Sequence, residues 1–302
     1  MNIVIAGGTG FVGSRLTEVL INQGHHVFIL TRSPEKFSNQ ANVTYVGWLN
    51  EGDQPEKVLQ DCEAMINLAG ESLFGYWTTE KKKRIIDSRI KATTNIVHLI
   101  KAMEKKPEVL VNASAVGYYG TSDQKFFTEK TISSGDDFLA YVTNKWESTA
   151  QQAENYGVRV IYARFGMVLG EKGTLPLLSI PYKFFVGGPI GSGEQWLSWI
   201  HMDDAIRLIL FAIKEEKING PLNITAPNPV RNKDLSAALA KTLHRPDKIK
   251  VPSFVIQTML GEMSILVIRG QAVLPNKALS NGYKYHYPNL QLALKSVLHN
   301  RL

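Results

Sequence analysis

The chain has 302 residues and a formal net charge of +7. Its hydrophobic content of 44% and charged content of 20% describe an ordinary folded protein of one or two domains rather than a disordered one. Its single cysteine, Cys62, excludes an internal disulfide and fits a reducing compartment. No apolar run reaches the length of a membrane span. The first predicted strand begins at Asn2, which leaves no room for a signal peptide. We therefore expect a cytoplasmic protein without a membrane partner.

The stretch Asn2–Gly13 predicts a strand, a glycine turn and the start of a helix. Ile3–Ile5 is apolar and β-branched, as in a strand buried on both faces. The turn that follows contains Gly7, Gly8, Gly10 and Gly13. Glycines in this context allow a tight turn and a close approach to a pyrophosphate, which the free N–H groups of the helix start can bind. The alternative is a tight turn without a ligand.

The second predicted strand, His26–Leu30, ends at Thr31 and Arg32. A fold that prefers NAD places an acidic residue there to hold the ribose hydroxyls, whereas an arginine suits the 2′-phosphate of NADP. We therefore predict NADP in preference to NAD. A second interpretation is compatible with the first: Ser33 caps a short helical turn that begins at Pro34.

The positive charge raises the question of nucleic-acid binding. The densest basic run, Lys81–Arg84, precedes a predicted helix over Ile85–Met103, and aromatic residues do not alternate with the basic ones. A solvated helix face is the better interpretation of this run. We expect no nucleic-acid partner.

Strands and helices alternate through about residue 164. The remaining predicted strands are Val43–Val46, Glu63–Leu68, Val109–Val111 and Val158–Arg164. This alternation predicts an α/β fold with a Rossmann-type, doubly wound parallel sheet. Residues 1–164 form the predicted nucleotide-binding domain, to which part of 200–225 returns. Residues 165–302 form a smaller, mixed substrate lobe.

Three residues of the first domain form a candidate catalytic set. Tyr141 and Lys145 are four positions apart on the predicted helix Phe138–Tyr156, and Ser114 follows the fifth strand. A nearby ammonium lowers the pKa of a phenol and makes it a usable acid or base. The lysine can also hold the nicotinamide ribose, and the serine can hydrogen-bond the substrate oxygen.

With these motifs the chain resembles the extended short-chain dehydrogenase/reductase superfamily of NAD(P)-dependent epimerases and dehydratases. It is most similar to an atypical epimerase-like subfamily with its own C-terminal module, often labelled cell-division-inhibitor-like; the module corresponds to about residues 251–300. The motifs that carry the resemblance are Gly7–Gly13, Ile66–Glu71, Asp87–Arg89, Ser114–Gly120, Trp146-Glu147, Arg164–Gly170, Gly187–Gly193, Trp199–His201, Gly270–Pro275 and Tyr287-Pro288.

The resemblance implies an NADP site and a catalytic set of Ser114, Tyr141 and Lys145. Together with Gly13 of the turn, the cofactor-binding residues are Gly7, Gly8, Thr9, Gly10, Phe11, Val12, Thr31, Arg32, Leu68, Ala69, Arg89 and Val168. Members of this subfamily often lack the tyrosine, so the catalytic role of Tyr141 rests on its position beside Lys145 rather than on the resemblance. Dehydratases resemble one another in an Asp-Glu pair after the serine or threonine, and Ala115 and Val116 stand there instead, which disfavours elimination.

Two functions remain open. The first is an NADP(H)-dependent oxidoreductase or epimerase that acts on a small hydroxyl- or carbonyl-bearing substrate, a nucleotide sugar being one candidate. The second is an NADPH-binding sensor without catalysis. We expect no metal site at His201, Asp203 and Asp204, because these residues do not make a closed ligand set, and we expect Asp203 to cap a helix over Ala205–Lys214. The oligomeric state stays open, a homodimer being the commonest assembly among soluble enzymes.

Overall fold

The computed structural model describes residues 1–59 and 61–299. Its strands are β1 (Asn2–Ala6), β2 (His26–Thr31), β3 (Val43–Gly47), β4 (Ala64–Asn67), β5 (Val109–Ala115), β6 (Phe126–Phe127), β7 (Arg159–Phe165), β8 (Met167–Leu169), β9 (Trp196–Leu197), β10 (Trp199–His201), β11 (Gly220–Ile224), β12 (Val230–Arg231) and β13 (Ala272–Val273). Its α-helices are α1 (Phe11–Asn22), α2 (Thr79–Ala102), α3 (Phe138–Gln151), α4 (Thr174–Lys183), α5 (Met202–Lys214), α6 (Asn232–Leu243), α7 (Ser253–Leu260), α8 (Ile265–Ile268), α9 (Asn276–Ser280) and α10 (Leu290–His299).

A seven-stranded sheet in the order β11-β7-β5-β4-β1-β2-β3 forms the centre of the fold. All of its strand pairs are parallel, which confirms the predicted doubly wound fold. Leu16 of α1 and Ile206 of α5 lie in the core on one face, and Ile96 of α2 and Ala150 of α3 lie in the core on the other. The sheet thus buries apolar residues on both faces, as a parallel sheet requires.

The boundaries of α2 and α3 differ from the prediction. Helix α2 begins at Thr79, because the Thr78 hydroxyl caps it by accepting a hydrogen bond from the backbone N–H of Lys81. The basic run Lys81–Arg84 therefore lies inside the helix. It is also not wholly solvated, since the Lys81 ammonium is buried 2.8 Å from a carboxylate oxygen of Glu71. Helix α3 ends at Gln151, and a 3₁₀ turn continues it to Tyr156.

The second lobe has its own apolar core and is joined to the sheet by buried polar contacts. Leu175 of α4, Leu239 of α6 and Leu294 of α10 pack in one cluster with the fully buried Trp199. The buried carboxylate of Asp204, on α5, accepts hydrogen bonds from the backbone N–H groups of His286 and Tyr287, both at 2.8 Å. None of the helices in residues 1–59 and 61–299 is long and apolar enough to cross a membrane.

Candidate active site

The glycine turn is packed too closely for side chains. A β-carbon on Gly13 would lie 2.2 Å from the carbonyl oxygen of Gly7, and one on Gly7 would lie 2.8 Å from the carbonyl carbon of Leu68. Gly7 also has a φ of +81°, which other residues rarely adopt. The turn therefore holds the start of α1 directly against the ends of β1 and β4.

The start of α1 leaves its N–H groups open. Its N-cap is Gly10, which offers no side-chain acceptor, and its first turn has no acidic residue. Thr78 and Asp137, in contrast, cap α2 and α3 with side-chain oxygens. Open N–H groups at the positive end of a helix form a site for an anion. The turn therefore fits the pyrophosphate of a dinucleotide.

Four of the predicted cofactor residues flank this turn. In the sheet register Ala6, at the end of β1, pairs with Leu30 on one side and Asn67 on the other. Thr31 and Arg32 follow the first neighbour, and Leu68 and Ala69 follow the second. Because parallel strands end at the same edge, these residues border one crevice.

At the end of β2 the Arg32 side chain is exposed. Within the described part of the chain, its guanidinium has no hydrogen-bond or ion-pair partner, although its carbonyl oxygen accepts a bond from the Asn50 amide. Ser33 precedes a 3₁₀ turn at Pro34, but its side chain makes no capping bond, so the predicted serine cap is wrong. Instead the Thr31 hydroxyl accepts a hydrogen bond from the Ser33 N–H at 3.3 Å.

The guanidinium of Arg89 lies against the chain that leaves β4. It donates hydrogen bonds to the carbonyl oxygens of Glu71 and Ile85, at 3.0 and 3.1 Å, and lies 5.0 Å from the Trp146 ring. Burial lowers the pKa of Arg89 to about 10, so the group is still charged at neutral pH. Gly70 leaves it room, because a β-carbon there would be 3.3 Å from the arginine.

Val168 belongs to a separate two-stranded sheet. It lies on β8, which is outside the seven-stranded sheet and pairs with Ile200 of β10. Phe11, at the start of α1, extends towards the same segment: its ring would touch a β-carbon placed on Gly170 or Gly173. The loop after β8 therefore closes over the start of α1.

Ser114 is buried in an ion-paired cluster. It is 3% exposed, and its hydroxyl donates a 2.6 Å hydrogen bond to the carboxylate of Glu147 on α3. Arg164, opposite Ser114 in the register of β5 and β7, donates two hydrogen bonds to the same carboxylate, at 2.8 and 2.7 Å. Burial alone would lower the pKa of Arg164, but the bonds to Glu147 hold it above its ordinary value.

Sequence reasoning gave Glu147 and Arg164 no role. The sequence pointed to them only indirectly, because a serine at the buried end of a strand needs a hydrogen-bond partner from another element. The guanidinium of Arg164 also stacks on the Tyr118 ring at 3.4 Å, and its Nη1 atom has no hydrogen-bond partner among the described residues. This arrangement fixes Ser114 in one position.

Tyr141 and Lys145 lie on another side of α3. Tyr141 is 53% exposed, and the Lys145 ammonium lies 5.9 Å from the centre of its ring. The buried residues of the helix are Ala140, Val142, Thr143, Trp146, Glu147 and Ala150. Since each residue turns about 100° around the helix, Tyr141 points away from the centre of this buried set. The pair is therefore brought together as predicted, but Ser114 hydrogen-bonds to the other side of the helix.

The start of α5 differs from the prediction. The helix begins at Met202, and the His201 ring caps it by accepting a hydrogen bond from the Asp203 N–H at 3.1 Å. Asp203 as the cap was therefore wrong. Burial lowers the pKa of His201, which favours the neutral, accepting ring. Among the described residues no group of three or more His, Cys, Asp or Glu could hold a metal.

A cavity of about 500 Å³ lies between α1 and α5 and is lined by Arg15, His201 and Asp203 among others. It shares Phe11 with the predicted cofactor residues. The glycine turn and Arg32 do not line it, so it is separate from the crevice described above.

The whole sequence matches known proteins. The profile of the NAD dependent epimerase/dehydratase family matches residues 3–225, and that of a domain of unknown function (DUF1731) matches residues 251–297. The chain belongs to the NAD dependent epimerase/dehydratase family. Epimerase family protein YfhF of Bacillus subtilis is 49% identical over 301 residues, which cover 100% of this chain and 99% of that protein. A Staphylococcus haemolyticus family member, SH2119, is 43% identical over 98% of both chains. These matches confirm the resemblance, including the C-terminal module.

Solved structures of the family give the same result. The human epimerase family protein SDR39U1, crystallised with NADPH, superposes with a TM-score of 0.87 at 30% identity and covers 99% of this chain and 100% of its own. A nucleoside-diphosphate sugar epimerase from Corynebacterium glutamicum gives 0.80 at 30% identity, over 99% of this chain and 58% of that one. A UDP-glucuronic acid 4-epimerase from Bacillus cereus, with NAD, gives 0.79 at 17% identity over 98% of both chains, which shows the shared fold alone.

Proposed function

We propose that the protein binds NADP(H) in the crevice at the ends of β1, β2 and β4 and exchanges hydride with a small hydroxyl- or carbonyl-bearing substrate. The observation that carries this is the glycine turn, with its uncapped helix start and no space for side chains. When bound, the nicotinamide would supply the hydride. The α1 N–H groups would hold the pyrophosphate, and Leu68 and Ala69 would border the nucleotide.

The preference for NADP rests on Arg32. An unpartnered guanidinium at the end of β2 can donate two parallel hydrogen bonds to a 2′-phosphate. Among relatives, the human protein was crystallised with NADPH, which supports the same cofactor here. An acidic residue, which would favour the ribose of NAD, does not occupy positions 31–33.

The proton-transfer group is part of the proposal. Our assignment is Tyr141 as acid or base, Lys145 as the cation beside it and Ser114 as the group that holds the substrate oxygen. The exposed position of Tyr141 and the engagement of Ser114 with Glu147 count against this set. They favour the second candidate, a protein that senses NADPH and transfers no hydride.

Fluorescence titration with NADPH and NADH tests the cofactor. We expect NADPH to bind more tightly. A hydrogen bond to a charged group contributes about 1.5–3 kcal/mol, so Arg32→Ala would weaken NADPH about 10- to 100-fold and leave NADH unchanged. Tighter binding of NADH by the unaltered protein would refute the NADP preference.

The reaction is tested with NADPH and a panel of aldehydes, ketones and nucleotide sugars, guided by mass spectrometry of copurified small molecules. Oxidation of NADPH by any of them excludes the pure sensor. With such a substrate, Tyr141→Phe measures the part played by the phenol: unchanged turnover removes Tyr141 from the mechanism.

A further inference from the structure

One side of helix α4 is apolar and exposed to solvent. Leu177, Ile180 and Phe184 are three and four positions apart and therefore share one side of the helix and its C-terminal end. All three are exposed, and Phe184 is 71% exposed. Leu175 and Tyr182, on the other side of α4, are buried in the core of the second lobe. The helix thus packs through one side and leaves an apolar side uncovered.

The turn that ends α4 holds Phe185 in a strained conformation. The Phe185 N–H donates to the Tyr182 oxygen at 3.0 Å and the Val186 N–H donates to the Pro181 oxygen at 2.9 Å, which is the Schellman pattern of a helix end. Phe185 has a φ of +63°, at the position where this pattern prefers glycine. Its side chain is also 58% exposed. The folded chain therefore gains little stability from a phenylalanine here, and the ring is open to a partner.

Cations lie beside these apolar residues. The segment 245–250 packs against the turn, because the Ile249 N–H donates to the Gly187 oxygen at 3.2 Å and the Arg245 guanidinium lies 4.7 Å from the centre of the Phe185 ring. The exposed cations of the turn and this segment are Lys183, Arg245, Lys248 and Lys250. Within the part of the chain that the structure describes, none of these four side chains forms an ion pair. Their charge is therefore available to an anionic partner.

The acidic residues near these cations are already bound. The carboxylate of Asp247 accepts a hydrogen bond from the Ser236 hydroxyl. Glu194, which Lys250 also influences, is paired with Lys233. The sequence has no acidic residue from 172 to 193, a range that includes all of α4 and the turn. We call the resulting positive and apolar surface the basic apolar patch; it consists of the four cations with Leu177, Ile180, Phe184, Phe185, Val186 and Ile249.

We propose that the basic apolar patch binds the surface of a lipid bilayer that contains anionic lipids. Exposed apolar side chains can enter the boundary between headgroups and acyl chains while the cations beside them contact the lipid phosphates. A second copy of this chain fits the patch less well, because two such patches would bring like charges together. The sequence led us to expect no membrane partner, since no apolar run could span a bilayer. Contact with the bilayer surface requires no such run.

Cosedimentation of the full chain with vesicles tests this proposal. We expect binding to vesicles of phosphatidylglycerol and phosphatidylcholine, weakening as salt is added, and much less binding to phosphatidylcholine alone. Phe185→Gly should weaken binding about tenfold, because the ring no longer enters the bilayer. The same variant should keep or raise the Tm, since glycine adopts a positive φ without strain, so weaker binding would not reflect misfolding. Lys248→Gln and Lys250→Gln should each weaken binding about fivefold.

The matched control changes an exposed phenylalanine outside the patch. Phe126→Ser, on β6, should leave vesicle binding intact, whereas Phe184→Ser should weaken it. NADPH affinity should stay the same in every variant, because the patch contains none of the predicted cofactor residues. Equal binding to both kinds of vesicle, binding to neither, or equal losses in the two serine variants would overturn the proposal. If Phe185→Gly instead converts a dimer to a monomer in sedimentation, the patch is an interface between copies and the proposal is wrong.

Discussion

The carboxyl edge of the sheet has two contrasting halves. In the half formed by β2, β1 and β4, the start of α1 is uncapped and the Arg32 guanidinium has no partner among the described residues. In the half formed by β5, β7 and β11, the residues Ser114, Arg164 and Asn223 lie side by side in register. Ser114 and Arg164 bond to Glu147, and Asn223 accepts a 2.8 Å bond from the Tyr119 hydroxyl.

The contrast indicates which half of the edge can bind a ligand and which half stabilises the fold. Unfilled donors at a strand edge are available to a ligand, whereas donors that already hold buried acceptors contribute to the folded structure. The first half is therefore suited to bind a phosphate-bearing molecule, and the second half is suited to support the sheet beside it. Substitutions in the two halves should consequently have different effects.

The largest effect is expected from Gly13→Val, in the half formed by β2, β1 and β4, which we call the open half. Its side chain would collide with the Gly7 carbonyl, since even the β-carbon would be 2.2 Å away, so the turn cannot keep its shape. We expect NADPH binding to be lost in fluorescence titration. The control is Gly24→Ala, which meets nothing within 4 Å but has a φ of +79°. It should cost about 1–2 kcal/mol of stability and leave NADPH affinity intact; loss of affinity in this variant too would contradict the proposal.

The next largest effect is expected from Glu147→Gln, beside the half formed by β5, β7 and β11, which we call the filled half. It leaves the buried Arg164 charge without its counterion, which costs about 3–5 kcal/mol, measured by urea unfolding. The matched change is Glu194→Gln, because Glu194 pairs with Lys233 in an exposed ion pair worth at most about 1 kcal/mol. Equal losses in the two variants would show that the cluster around Ser114 is not a buried support.

A smaller effect is expected on the pH dependence of stability, through His201, which caps α5. Burial lowers the pKa of His201 below its ordinary 6.5. As pH falls through 6.5, the unfolded chain therefore takes up a proton that the folded chain does not, and stability falls by less than about 1.4 kcal/mol per pH unit. His201→Asn, which keeps a capping oxygen, should reduce this slope in unfolding experiments between pH 7 and pH 5. An unchanged slope would place the dependence on other groups.

The smallest effect is expected from Tyr141→Phe on stability. The side chain is 53% exposed, so the free energy of unfolding should change by no more than about 0.5 kcal/mol. NADPH affinity should not change either. A larger loss would mean that the phenol contacts the folded core or the cofactor in solution.

The sequence predicted the parts of the molecule that local pattern determines. The order of strand, glycine turn and helix at Asn2–Gly13 requires no distant contact, and neither does the alternation that gives the parallel sheet. Helix boundaries were harder: the charged residues of Lys81–Arg84 interrupt the apolar periodicity, although Thr78 supplied a usable capping signal. At α5 we expected Asp203 to be the cap, and the ring of His201 proved to be the acceptor.

The filled half could not be predicted in the same way. Ser114, Glu147 and Arg164 come from three elements, and only their packing brings one carboxylate between a hydroxyl and a guanidinium. The helix face that carries Tyr141 depends on how α3 is rotated against the sheet. A four-residue spacing fixes the distance between Tyr141 and Lys145 but not the direction in which they point.

The contact between Asp204 and the turn at His286 and Tyr287 has a consequence for synthesis of the chain. Asp204 is fully buried, and its acceptors are filled by residues about eighty positions later. Until the ribosome has released that late turn, the Asp204 carboxylate in the first turn of α5 lacks the backbone N–H groups that donate hydrogen bonds to it. A version shortened at residue 250 would keep this defect permanently, so we expect the residues after 250 to be needed for the first turn of α5 to be stable against the sheet.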